Sequence, residues 1–141
     1  MLFRLATPAY AAVLAGLALG GAPADRQQLH SFHTPSGNIG CMAVNDGGQW
    51  ELRCDIGEKA WSGPAARDCE LDSGDSMGMH AAGRPYPVCH GDTVLGQGAA
   101  LAYGATWRAG PFACTSQPTG VTCRNHEQHG FTLSRGSYRV F

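Results

Sequence analysis

The sequence contains no run of Lys or Arg, no CxxC and no HExxH, and no apolar 3.6-residue period persists for twelve residues. Each absence closes a route. Without CxxC, thioredoxin-type redox chemistry and the common zinc spacings lose their support. Gly37 and Gly40 do not frame a serine and Ser134 is followed by Arg135, so neither Ser36 nor Ser134 sits in a nucleophile elbow. His126-Glu127-Gln128-His129 comes nearest to a zincin motif, but its histidines stand three apart in a hairpin context, where a zincin needs them one turn apart on a helix. Ten basic and eleven acidic residues give a formal charge of −1, with the basic ones scattered. That balance offers no electrostatic reason to bind nucleic acid or an anionic membrane.

What is present begins at the N-terminus. Met1–Arg4 is a short charged segment, Leu5–Ala22 is almost wholly small or apolar, and Ala22-Pro23-Ala24 supplies the small residues a signal peptidase accepts. The apolar run carries Pro8 and several glycines, and no stop-transfer pattern follows, so a cleaved signal peptide over residues 1–24 is expected rather than a membrane anchor. No cysteine stands near the cleavage site to carry a lipid. The expected destination is the medium, the periplasm or the cell envelope. Removing residues 1–24, and Arg4 with them, leaves residues 25–141, 117 in all, with nine basic and eleven acidic side chains. That is one domain with one modest core.

All six cysteines (Cys41, Cys54, Cys69, Cys89, Cys114 and Cys123) lie in this region. An even number in a short exported chain reads as three disulfides. Facing Cys114 with Cys123 centres the connection on Gln117-Pro118-Thr119-Gly120, where Pro fixes φ and Gly accepts a positive one. Facing Cys41 with Cys54 centres it on Asp46-Gly47-Gly48-Gln49 and aligns Ile39 with Ile56 and Ala43 with Leu52. Cys69 then pairs with Cys89 by elimination. An all-β domain follows: a small antiparallel sandwich or barrel on two disulfide-stapled hairpins, with one loop-rich insertion over 57–88. Residues 25–31 are polar and expected to fray, and a short strand is expected to end at Leu101-Ala102-Tyr103. The tail should close the domain through Phe131, Leu133 and one of Tyr138 or Phe141.

The segments SFHTPSGNIGC, LRCDI, DCELDSG, VCHGDTVLG, LAYG, FACTS, GVTCRN and HGFTLSRGSYRVF follow one another in an order that resembles a family of small secreted bacterial domains of unknown function, DUF6636. The resemblance spans about residues 31–141 and implies an exported, disulfide-bonded domain without an assigned activity. Two positions depart from the family pattern: Ser73 stands where a Trp is common, and Gln128 where a Gly often precedes His-Gly-Phe.

Candidate sites are few. His129, or His90 with Asp92, could serve a hydrolase only if a nucleophile such as Ser134 or Ser36 came near them. Asp68, Glu70, Asp72 and Asp75 form an acidic cluster whose spacing does not match an EF-hand, so a solvated loop is expected. Trp50 flanks the first hairpin turn and is expected to be an exposed aromatic, with Arg135 a further candidate contact, whereas Trp61 and Trp107 belong to the core. No metal or cofactor is expected. The expectation is a monomeric, non-enzymatic binding or structural module whose partner is an extracytoplasmic protein or an envelope glycan. The alternatives are an inhibitor presenting a hairpin loop and a secreted hydrolase.

Overall fold

The computed structural model describes residues 27–141 and, upstream of them, Gly16 alone. The expected signal peptide therefore lies, but for that glycine, outside the described residues. Strand β1 (Gln28–His33) pairs antiparallel with β2 (Ile39–Asp46) in full register, so residues 28–31 of the stretch expected to fray are ordered. Polarity misled here: only Phe32 of the strand is buried, and backbone pairing to β2 holds the rest. Gly47 and Gly48, at φ 58° and 88°, then turn the chain from β2 into β3 (Gln49–Ile56). Two consecutive positive φ values make the twist that joins adjacent strands without splaying them. The insertion contains no helix. It contributes β4 (Ser76–His80) beside β3 and β5 (Tyr86–Pro87) at the sheet edge. On the other edge β6 (Ala99–Ala100) runs parallel to β1 and stops short of the expected end at Leu101-Ala102-Tyr103. The first sheet reads β5-β4-β3-β2-β1-β6.

The second sheet is a five-stranded meander of β7 (Thr106–Ala109), β8 (Phe112–Gln117), β9 (Gly120–Arg124), β10 (Gly130–Leu133) and β11 (Tyr138–Val140), each paired with the next. Period-two alternation sends Phe112, Cys114, Val121, Cys123, Phe131 and Leu133 inward against Ile39, Cys41, Ala43, Leu52, Cys54 and Ile56 of the first sheet. The architecture is a sandwich, not a barrel.

All three expected disulfides are present. Cys41–Cys54 and Cys114–Cys123 each link directly opposed residues with Cα atoms 4.1 Å apart, close to the spacing of a non-hydrogen-bonded antiparallel pair. The two staples meet across the core, Cys54 Sγ lying 3.8 Å from Cys123 Sγ. Trp107 packs on Phe32 at 4.8 Å between ring centroids. Trp61 donates from Nε1 to the Ser134 carbonyl and lies against Tyr138. The tail does close the domain. Val140 is the residue that reaches the core, while Tyr138 covers Trp61 and Phe141 lies over Gly130 on the outer face.

Candidate functional site

Asp92 and His90 sit where the loop after Cys89 crosses the outer face of the first sheet. The centre of that crossing is Asp55, 2% exposed. Arg53 donates to it from Nε and Nη2, both at 2.8 Å, and Ser76 Oγ (2.6 Å), Val94 N–H (2.9 Å) and Thr93 Oγ1 (3.2 Å) donate as well. Burial alone would push the Asp55 carboxyl up. The donors from Arg53, Ser76 and Val94 outweigh it and hold the group below the ordinary carboxylate range. Arg53 spends two further donors on Asp92, from Nη1 to the carboxylate at 2.8 Å and from Nη2 to the carbonyl at 3.2 Å.

His90 is buried, with Nδ1 2.7 Å from the Asp92 carbonyl and Nε2 2.7 Å from Asp75 Oδ1. Both partners only accept, so the imidazolium satisfies both. Burial works against that charge, but Asp75 and the Asp92 carbonyl raise the group above its ordinary value. His90 touches the backbone of Asp92, and the Asp92 carboxylate faces Arg53. The pair is therefore not the His–carboxylate arrangement a hydrolase uses. The acidic cluster is likewise distributed: Asp75 pairs with His90, and Asp72 exchanges backbone hydrogen bonds with it. Among the described residues, the group of three metal-type ligands that converges is Cys41, Cys54 and Cys123, all bound in disulfides.

His129 lies far along the chain, at the turn between β9 and β10. Its backbone N–H donates to Asn125 Oδ1 at 3.2 Å, and its carbonyl accepts from Asn125 N. The organising residue there is Asn125, which is buried; its Nδ2 donates to the carbonyls of His80 and Gly83 and ties this turn to the first sheet. Gln128, in the same turn, has φ 63°. A side chain in this left-handed region costs about 1 kcal/mol, a cost that glycine does not carry. Gln128→Gly should raise stability by about 0.5–1 kcal/mol in urea unfolding, and a loss of stability would show the strain to be absent.

Trp50 is not the exposed aromatic expected of it. It is half-buried, packed edge-on to Phe112 and stacked on His30, and its indole fills the space above Gly110. Gly110, at φ 51°, lets the two sheets approach there. Arg135 is exposed, pairs with Glu58 at 3.0 Å and lines a cleft of about 290 Å³ with Tyr103, Ser36, Ser134 and the Pro118-Thr119 turn. The serine hydroxyls are already engaged there, Ser134 with Ser137 and Ser36 with Thr34 and Asn38. Neither His90 nor His129 lines that cleft, so no imidazole stands by those serines.

What remains is the outer face of the second sheet. Register places Thr106, Thr115, Thr122, Thr132 and Arg139 in one row across all five strands. The neighbouring row is Arg108, Ala113, Arg124, Gly130 and Phe141. Thr106 and Thr115 hydroxyls are 3.1 Å apart, and those of Thr122 and Thr132 2.9 Å. The Phe141 ring lies between the guanidinium groups of Arg124 (4.9 Å) and Arg139 (5.0 Å). Sequence reading missed this surface because its members are joined only by register.

Two sheets stapled through facing disulfides, with Arg53, Asp55 and His90 committed to internal partners and one broad polar face open, define a disulfide-braced β-sandwich module built for an oxidising compartment. The chain belongs to the family of unknown function DUF6636, whose model matches residues 10–141. No curated protein and no solved structure matches it.

Proposed function

We propose that this chain is an exported, non-enzymatic module of the cell envelope or the surrounding medium that acts by binding. The observation that carries the reading is the contrast between its two outer faces. On the first sheet, Arg53, Asp55, His90 and Asp92 are spent on each other beneath a loop, whereas the second sheet presents hydroxyl and guanidinium groups to solvent. The signal-like N-terminus and the three disulfides support export.

The test has two readouts. Expressed as the full chain in a bacterium, the protein should be recovered outside the cytoplasm with Asp25 as its first residue and no free thiol. Uncut, reduced chain confined to the cytoplasm would contradict export. The mature protein should then co-sediment with purified cell-wall material without releasing soluble fragments. Time-dependent release that stops in His90→Ala or His129→Ala would establish the hydrolase instead.

A further inference from the structure

From Thr106 onward the chain carries four arginines and one acidic side chain, Glu127, whereas residues 27–105 carry four basic and nine acidic side chains. The near-neutral whole is thus a sum of two opposite halves. Three of the four arginines (Arg108, Arg124 and Arg139) project from the outer face of the second sheet, and Glu127 is turned away to accept from Gly83 N–H. Among the described residues no carboxylate, the chain end included, pairs with any of the three. The face is cationic although the protein is not.

We infer that this face binds an acidic polysaccharide, with Arg108, Arg124 and Arg139 meeting its carboxylates and the threonine row meeting its hydroxyls. The inference rests on the binding-module reading above and names the ligand class for it. Arg108 and Arg124 stand two strands apart, about 9.5 Å, and Arg124 and Arg139 are separated by the same number of strands. That interval is comparable to the two-sugar repeat of an extended glycan. Between the guanidinium groups lie small residues, Ala113 and Gly130, that let a flat chain approach, and four hydroxyls arranged in line. Phe141 holds two of the guanidinium groups by their contact with its ring, which orients them without consuming their charge. Double-stranded DNA fits less well, because one charge per about 1.7 Å calls for a denser basic surface than three cations interleaved with neutral groups. A bilayer fits less well too: the face has no apolar ridge to insert, its one large apolar side chain being capped by Arg124 and Arg139.

Affinity electrophoresis of the mature protein in gels containing polygalacturonate, dextran, or neither tests the inference. Polygalacturonate should retard the protein and dextran should not, and raising salt from about 50 to about 200 mM should weaken the retardation. Arg108→Gln, Arg124→Gln and Arg139→Gln should each weaken binding about tenfold. Arg84→Gln, an exposed change outside the face, should leave it unaltered. Unchanged melting curves would tie the losses to the face rather than to folding, and a loss explained by unfolding would overturn the assignment. So would undiminished binding by the triple glutamine variant, no binding of polygalacturonate by the wild type, or tighter binding to duplex DNA or anionic vesicles. A triple variant that still co-sediments with cell walls would reject this face while leaving the module reading intact. A wild type that sediments with nothing would reject the module itself.

Discussion

Asp55→Ala should destabilise the folded chain by about 3–5 kcal/mol, the cost typical of removing one partner from a buried ion pair. The carboxylate is nearly inaccessible and receives five hydrogen bonds from Arg53, Ser76, Thr93 and Val94. Removing it leaves the Arg53 guanidinium with only Asp92, which is exposed, and strands the Val94 amide and two hydroxyls. The effect should depend on pH in a defined direction. The folded-state value of Asp55 is depressed, so its contribution is fully present above the ordinary carboxylate value of about 3.9 and is lost as pH falls through the folded one. The gap between wild type and variant in urea unfolding should therefore be widest near neutrality and close in acid. His90 works in the opposite sense. Its folded-state value is raised, so its contribution is present below about 6.5 and disappears as pH rises through the folded value. A gap that widened in acid would contradict this account of Asp55.

Removing both core disulfides should abolish cooperative folding. Cys41–Cys54 and Cys114–Cys123 close connections of 13 and 9 residues, each contributing about 3 kcal/mol in the chain-entropy model. Together they approach the whole stability of a typical domain, about 5–15 kcal/mol. Cys41→Ala with Cys54→Ala should leave a folded protein of lowered Tm, and so should the corresponding pair at 114 and 123. The quadruple variant should show no cooperative melt by calorimetry. Because Cys54 and Cys123 sulfurs are in contact, the two losses should also couple rather than add. A quadruple variant with a sharp transition would show that the apolar core suffices without its staples.

Much of the fold was legible because local rules reinforced one another in the hairpins. Gly47-Gly48 and Pro118-Thr119 sit midway between their cysteines, and alternation then aligns Ile39 with Ile56 and Ser116 with Val121. The short edge strand β5 was invisible because two residues carry no period, and the end of the equally short β6, before Leu101, was hidden for the same reason. Strand β1 was hidden by its polarity. The sites were harder still. Trp50 looked exposed beside its turn, yet a glycine 60 positions away makes room for it. In the linear chain Asp55 is one polar residue on a strand, and only the loop 38 positions on turns it into the centre of a network. The scattered arginines of the linear chain become a patch only once β7 to β11 are set side by side.

The measurement that bears most directly on the binding face is an amide chemical-shift titration of the mature protein with short galacturonate oligomers. The account predicts progressive shifts at Thr106, Arg108, Thr115, Thr122, Arg124, Thr132 and Arg139, the two rows of the second sheet, with the Arg53–Asp55 region unmoved. Shifts confined to Tyr103, Pro118-Thr119-Gly120 and Arg135 would place recognition in the cleft at the end of the sandwich and contradict it.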